Sequence, residues 1–312
     1  MHVRILGSAA GGGFPQWNCA CPNCRAVRAG TFCGKARTQA QVAVSGDGRS
    51  WFLFGASPDL RAQIEATPEL HPRPSNGEIR DSPIAGAVLL NADLDHTLGL
   101  LLLRELQPLD VYATHSVHRV LSEDNAMFVM LQRVPGQLIW TDFAPEATFS
   151  LAHTTGEDSG LRCLALPLGR RYPPYVSSWR QSQLRLHEAS LGLLVESPSG
   201  GRLAYMPAVP QIDDVLLKEL DSSDVLLFDG TFWSDDELIR MQAGAQTAQQ
   251  MGHVPVSSAE GSLRKLAQLS RPRKIYIHIN NTNPMLNEAG PEYAQACEAG
   301  CEIAEDGWEF DL

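Results

Sequence analysis

Asn91-Ala92-Asp93-Leu94-Asp95-His96 is the stretch on which the reading of this sequence turns. It follows Ile84-Ala85-Gly86-Ala87-Val88-Leu89-Leu90, a short apolar run ending in turn formers, which predicts a buried strand. Thr97 to Glu105 behind it predicts a helix. Oxygen-bearing side chains and an imidazole are therefore expected on a strand-to-helix turn, at the carboxyl end of a strand, where α/β proteins place ligands. Carboxylates and an imidazole on such a turn can converge on one metal ion. Helix capping by Asp93 or Asp95 accounts for a single acid. It does not account for Asp-x-Asp-His as a set, and the metal reading is preferred.

Working outward, the bulk properties bound the answer. The chain has 312 residues, 44% hydrophobic, with a formal net charge of −11. That length supports one large core or two modest ones. The acidity disfavours nucleic acid and anionic membranes, because the charge that would neutralise phosphates is missing. No apolar run reaches the ~18–20 residues a membrane span needs. The start, Met1-His2-Val3-Arg4-Ile5-Leu6-Gly7, enters a strand pattern at once and lacks the apolar region of a secretory signal. The expectation is a cytoplasmic protein without membrane insertion. No internal repeat or long linker divides the chain, so a single domain over residues 1–312 is expected.

Cys19-Ala20-Cys21-Pro22-Asn23-Cys24 places three thiols within six residues in a Pro- and Asn-containing loop. Thiolates at this spacing can wrap a tetrahedral zinc with a fourth ligand from elsewhere, and sulfur ligation of that kind is structural. In a reducing compartment such a cluster favours metal over disulfide. Cys33, Cys163, Cys297 and Cys301 are scattered and read as small buried residues.

Three strands end in potential ligands. Besides the turn at Asp93 and His96, Ser223 to Thr231 reads as a buried strand ending on Asp229, and Arg273 to Pro284 as one ending on His278. Gly252-His253 precedes a helix expected over 257–269. His115 and His118, three apart at a helix start, can pair on a metal, but surface or capping histidines are preferred. Residues 116–131 are expected to be helical, 140–151 a strand, and 67–83 a surface loop. Residues 169–183, Gly-Arg-Arg-Tyr-Pro-Pro-Tyr-Val-Ser-Ser-Trp-Arg-Gln-Ser-Gln, are aromatic, basic and proline-broken within an acidic chain. A substrate loop is preferred to an idle surface loop there, because arginines recognise carboxylates and aromatic rings hold flat ligands.

The order of these motifs resembles the metallo-β-lactamase superfamily, whose metal motif is His-x-His-x-Asp-His followed by further His, Asp and His positions. The matching positions are Asn91, Asp93, Asp95 and His96, then Asp229 and His278. Over essentially its full length the chain more closely resembles the pyrroloquinoline quinone (PQQ) biosynthesis protein B family. The carriers of that likeness are the opening Met1 to Cys24, the segment Leu90 to Leu100, and His278-Ile279-Asn280-Asn281-Thr282-Asn283-Pro284. The resemblance implies an α/β fold, the metallo-β-lactamase-like αββα four-layer sandwich with two mixed β-sheets.

Departures from the superfamily pattern shape the expected chemistry. Asn91 and Asp93 stand where the first two histidines belong, and Gly169-Arg170-Arg171 stands near a further one. A dinuclear zinc hydrolase needs those imidazoles. Asp93, His96 and His278 remain as one carboxylate and two imidazoles, the non-haem iron(II) arrangement. The resemblance thus implies an oxidoreductase with an active-site divalent metal, iron(II), that hydroxylates the tyrosine ring of a Glu-Tyr-derived PQQ precursor. Asp95 and Asp229 would orient the ligands or bind the metal themselves. His253 lies where related hydrolases carry a catalytic histidine and would move protons. Arg170, Arg171 or Arg180 would hold substrate carboxylates. Cys19, Cys21 and Cys24 would bind a structural zinc. Relatives take the fourth ligand from the turn beyond the last metal histidine, which here holds Asn280, Asn281 and Asn283 and no second histidine. That ligand is left open, with His278 as an alternative that would remove it from the iron site. The expected partners are a small-molecule or dipeptide PQQ precursor and PQQ or a late intermediate, with no nucleic acid, and a homodimer is left open. Two competing readings are a carrier of PQQ or its precursor that assists transport to the periplasm, and a metal-dependent hydrolase.

Overall fold

The computed structural model describes residues 1–73, 79–105 and 107–312. Among these residues, in chain order, the strands are β1 (His2–Gly7), β2 (Gln41–Ser45), β3 (Trp51–Phe54), β4 (Ile84–Val88), β5 (Leu109–Thr114), β6 (Leu138–Phe143), β7 (Thr148–Ala152), β8 (Asp158–Gly169), β9 (Ser190–Glu196), β10 (Arg202–Met206), β11 (Val225–Asp229), β12 (Arg273–Ile277), β13 (Cys301–Ile303) and β14 (Glu309–Asp311). The chain gathers into two compact units. One comprises Met1–Leu6, Gln41–Gly201 and Gly307–Leu312; the other comprises Gly7–Ala40 and Arg202–Asp306.

In the first unit a sheet runs β14-β1-β2-β3-β4-β5-β6. It is mixed: β1 with β14 and β2 with β3 are antiparallel, while β3, β4, β5 and β6 pair in parallel. Every residue of β2, β3 and β4 is buried. This is why these strands read as continuous apolar runs rather than alternating ones. Trp51, Leu53, Leu60, Leu89, Leu100, Val111, Phe128 and Tyr172 belong to one core cluster. Antiparallel pairs β7–β8 and β8–β9 complete the strands of this unit.

In the second unit β10, β11, β12 and β13 pair in parallel, in that order. Strand β11 is buried throughout, and Phe228, Tyr276 and Ile277 fill the core around it. Parallel pairing brings the carboxyl ends of β11 and β12 level, with Asp229 opposite Ile277. That register sets Asp229 beside the turn that starts at His278.

Several local expectations change. The helix expected after His96 is a short α-helix, Leu94–Thr97, followed by a 3₁₀ stretch, Leu98–Leu103. The helix expected over 116–131 breaks into His115–Ser122, Ala126–Val129 and a 3₁₀ turn, Met130–Gln132. Residues 140–151 divide between β6 and β7. The helix expected over 257–269 is confined to Ser262–Leu266. Within 67–83, Pro68–Leu70 is a 3₁₀ turn, and 74–78 lie outside the described residues. Cys163 and Cys301 are buried as expected, but Cys33 and Cys297 are exposed. No helix among the described residues is long and apolar enough to cross a membrane.

Candidate metal centre

The turn after β4 is held by backbone bonds. The Leu191 N–H donates to Leu90 O at 2.9 Å, and Asn91 forms a bridge with Ser190. Asn91 folds back so that its Oδ1 accepts the Asp93 N–H at 3.0 Å. Farther along, His96 O accepts the Ala56 N–H at 2.7 Å, and the buried His96 ring rests on Gly55. Gly55 has φ +82°, and a Cβ there would lie 3.3 Å from His96 Nδ1. A left-handed glycine is therefore what lets the imidazole lie against that backbone.

The two acids of the turn differ. Asp93 occupies the N-cap position of Leu94–Thr97 but its side chain makes no capping bond. The Asp95 carboxylate lies 3.9 Å from His96 Nε2. Two ligands of one ion, each about 2.1 Å from it, stand roughly 3–4 Å apart. Asp95 and His96 therefore stand at a separation that two ligands of one ion can have. The Asp93 charge acts on Tyr175, whose phenol is pushed up by burial and then by that charge.

In the second unit, Asp229, His253 and His278 offer ligand atoms within 4.8 Å of one another. Asp229 is fully buried, and both its oxygens are occupied. Oδ1 accepts the Thr231 N–H at 3.0 Å and the Thr231 hydroxyl at 2.6 Å. Oδ2 accepts the Val209 N–H at 2.8 Å and His253 Nδ1 at 2.7 Å. Burial alone would push this carboxyl up, but the imidazoles of His253 and His278 and the Thr231 hydroxyl hold it below the usual carboxylate range. Of the two roles open to Asp229, such an environment fits orienting a ligand better than binding an ion. The rings of His253 and His278 stack with centroids 5.5 Å apart and planes 20° from parallel.

The cysteine cluster also lies in this unit. The Sγ atoms of Cys19, Cys21 and Cys24 lie within 4.8 Å of one another. The Cys21 N–H approaches Cys19 Sγ at 3.4 Å, and the Cys24 N–H approaches Cys21 Sγ at the same distance. Burial raises the Cys19 thiol, but these donors and the neighbouring groups bring it net below its usual value. Cys21 is pushed up to about 12 by burial and by its crowding with Cys24. A cation is what would let all three sulfurs be thiolates together, and the donor set fits zinc. Among the turn residues left open as a fourth partner, Asn281 is the one at the cluster. Its amide Nδ2 lies 3.1, 3.7 and 3.4 Å from the sulfurs of Cys19, Cys21 and Cys24.

Segment 169–183 meets the β4 turn within the first unit, where the Tyr175 hydroxyl donates to Ala92 O. Tyr172 is buried in the core and its hydroxyl donates to Arg185 O at 2.7 Å. Trp179 is 70% exposed and Tyr175 42%, so the segment presents aromatic surface beside the turn. Arg170 and Arg171 are exposed. Arg180 does not fit the substrate role expected of it: it is buried, its guanidinium grips Asp124 through two nitrogens, and it donates to Glu123 at 3.0 Å. A fork already filled by carboxylates anchors the segment instead. His115 and His118 each bond Asp142 through Nδ1, at 2.8 and 2.7 Å, and His118 stacks on Trp140, which fits the surface reading.

Thr231 and Tyr175 were not singled out from the sequence, and Asn281 was not distinguished there from Asn280 and Asn283. The Asp-Gly-Thr spacing after β11 was a usable signal for Thr231, since an Asp commonly binds the backbone two residues on. The other two depend on long-range packing.

A model of the beta-lactamase superfamily domain matches residues 50–279. Coenzyme PQQ synthesis protein B of Azotobacter vinelandii is 45% identical over 314 residues, covering 100% of both chains. The protein of that name from Pseudomonas entomophila is 43% identical with the same coverage. The crystal structure of Zn²⁺-bound PqqB from Methylobacterium extorquens is 38% identical, covers 100% of each chain and gives a TM-score of 0.90. A diphosphatase of the PhnP family, 19% identical with a TM-score of 0.67, is alike in fold alone. These matches assign the expected metallo-β-lactamase-like α/β fold with two mixed β-sheets.

Proposed function

Because this chain belongs to the coenzyme PQQ synthesis protein B family, we propose that it acts in PQQ biosynthesis as an iron-dependent hydroxylase of the tyrosine ring of a Glu-Tyr-derived precursor. The observation that carries the chemistry is the approach of the Asp95 carboxylate to His96 Nε2 at 3.9 Å, on a turn that has lost the superfamily's first histidines. Asp95 and His96 are the proposed metal ligands, with His278 as the third, as the resemblance implies. Bound iron(II) would supply the electrons and open coordination positions that dioxygen chemistry requires, with an external reductant as co-reactant.

The chain's own groups divide the remaining work. Asp93, close to Ala92 and Tyr175, shapes the approach to the turn rather than capping its helix. Tyr175 and Trp179 form an aromatic face for the precursor ring. Arg170 and Arg171, exposed at the start of the same segment, meet its carboxylates. His253, held by Asp229 through Nδ1, presents Nε2 for proton transfer. Cys19, Cys21 and Cys24 hold a structural zinc. The proposed setting is the cytoplasm.

The test is to purify the protein without oxygen, load iron(II) or zinc separately, and supply a glutamyl-tyrosine peptide with oxygen and a reductant. Hydroxylated tyrosine appearing with iron alone supports the reading. Peptide cleavage with zinc would replace it with a hydrolase. Saturable PQQ binding without turnover under either metal would replace it with a carrier.

A further inference from the structure

The hydrogen-bond pattern around Asp229 determines where protons lie on two histidines. A carboxylate offers about four lone-pair positions. Here four donors fill them: the N–H groups of Val209 and Thr231, the Thr231 hydroxyl and His253 Nδ1. The carboxylate therefore has no room for a proton of its own, and each partner must bring one. For His253 this requires Nδ1–H.

Thr231 has a single hydroxyl proton. At 2.6 Å from an ionised oxygen, that proton goes to Asp229, since a charge-assisted bond outcompetes the neutral carbonyl of His278 at 2.8 Å. Toward His278 Nδ1, also at 2.8 Å, the hydroxyl then only accepts. His278 Nδ1 must donate. The backbone keeps this geometry in place: His278 has φ 58°, a left-handed conformation that a side-chain-bearing residue holds only where its surroundings impose it.

We propose that Thr231 is a positioning residue whose hydroxyl relays the buried Asp229 carboxylate to His278, so that one acid locks both His253 and His278 as Nδ1–H tautomers. Nε2 is then the ligating or proton-accepting atom of each ring. Asp229 reaches His253 directly at 2.7 Å, with the Thr231 hydroxyl a longer contact of that ring at 3.1 Å, and reaches His278 through Thr231. The two histidines consequently respond differently to loss of the hydroxyl. The consequence for metal rests on the proposed role of His278 as a ligand; the tautomer assignment does not.

Nitrogen-resolved NMR of the histidine rings in the full-length, metal-free protein tests the relay. The wild type should show both rings protonated at Nδ1. Thr231→Val should release His278 to a tautomer mixture while His253 keeps Nδ1–H, and Thr231→Ser should restore His278. Zinc titration, followed at the His278 signal, should show Thr231→Val weakened by roughly 10–100-fold and Thr231→Ser close to wild type. An Nε2–H tautomer for wild-type His278, or a Thr231→Val variant with His278 unchanged, overturns the relay. A correct tautomer pattern with no zinc response at wild-type His278 supports the relay and removes His278 from the metal site. Near-ultraviolet circular dichroism of both variants, with Thr231→Ser as the folded reference, separates the relay from a folding defect.

Discussion

The Asp95 carboxylate lies 3.9 Å from His96 Nε2, one residue along the same turn. Adjacent residues on an extended strand point to opposite faces. The turn of helix at Leu94–Thr97 is what brings these two groups to one side. On the proposed function, this approach makes Asp95 the acid to test against Asp93 as the metal ligand.

Asp95→Asn should lower iron(II) affinity by roughly 100-fold or more, whereas Asp93→Asn should cost roughly 10-fold or less. Iron content after anaerobic dialysis, together with tyrosine hydroxylation, measures both. The reverse ranking would return the ligand role to Asp93.

Gly55→Ala addresses the support beneath His96. The substitution forces a side chain into φ +82° and places a methyl group 3.3 Å from His96 Nδ1. Strain of about 1–2 kcal/mol is expected from the backbone alone, with metal affinity falling alongside it as the ring is displaced. Urea denaturation and iron titration check the two effects. Unchanged affinity in a destabilised variant would show that His96 does not depend on this glycine.

If the cysteine cluster holds zinc as proposed, Cys21→Ser should abolish that zinc and lower Tm by roughly 5–10 °C, while exposed Cys33→Ser should change neither. Metal analysis by atomic emission and thermal scans decide this. Full zinc content in Cys21→Ser would remove the cysteine cluster from the zinc assignment.

Glu237 predicts a pH dependence of stability. Burial raises its carboxyl from 4.5 to about 7, even though Thr282, Trp233 and Ser234 donate to it. Its folded-state value lies above the unfolded one, so the native chain binds the proton more tightly. This contribution is complete below pH 4.5 and is lost as the pH rises through about 7. The full swing is about 3 kcal/mol. Glu237→Gln keeps an acceptor for the Trp233 N–H and should flatten that part of the profile. Urea midpoints between pH 4.5 and 8 provide the measurement, and parallel curves for the two proteins would refute it.

Much of this site could be read before any coordinates. Three apolar runs that were each followed by Asp or His marked the ends of β4, β11 and β12, because buried parallel strands carry polar residues mainly where they enter and leave the core. Tight cysteine spacing marked the sulfur cluster for a similar reason: ligands within six residues need little help from the rest of the chain. Arg180 was misread because a basic residue in an aromatic loop looks like a substrate contact until its partners are known. Asp124 and Glu123, more than fifty positions earlier, supply the answer. The helix break falls on the polar run Glu123-Asp124-Asn125, between the apolar positions Val117, Val120 and Leu121 and the apolar positions Phe128 and Leu131 that pack in one core.

The sequence by itself determined the family, the positions of Asp93, His96, Asp229 and His278 after buried strands, and the clustering of Cys19, Cys21 and Cys24. These follow from local patterning, which depends on neighbours a few residues away. Tertiary structure alone decided how closely Asp95 approaches His96, how the four lone-pair positions of Asp229 are filled, and which groups meet Nδ1 of His253 and His278. Those outcomes depend on distances of a few ångströms between residues such as Val209, Thr231, His253 and His278. Such distances arise from the parallel register of β11 and β12 and the turns that leave them, and linear spacing does not encode them.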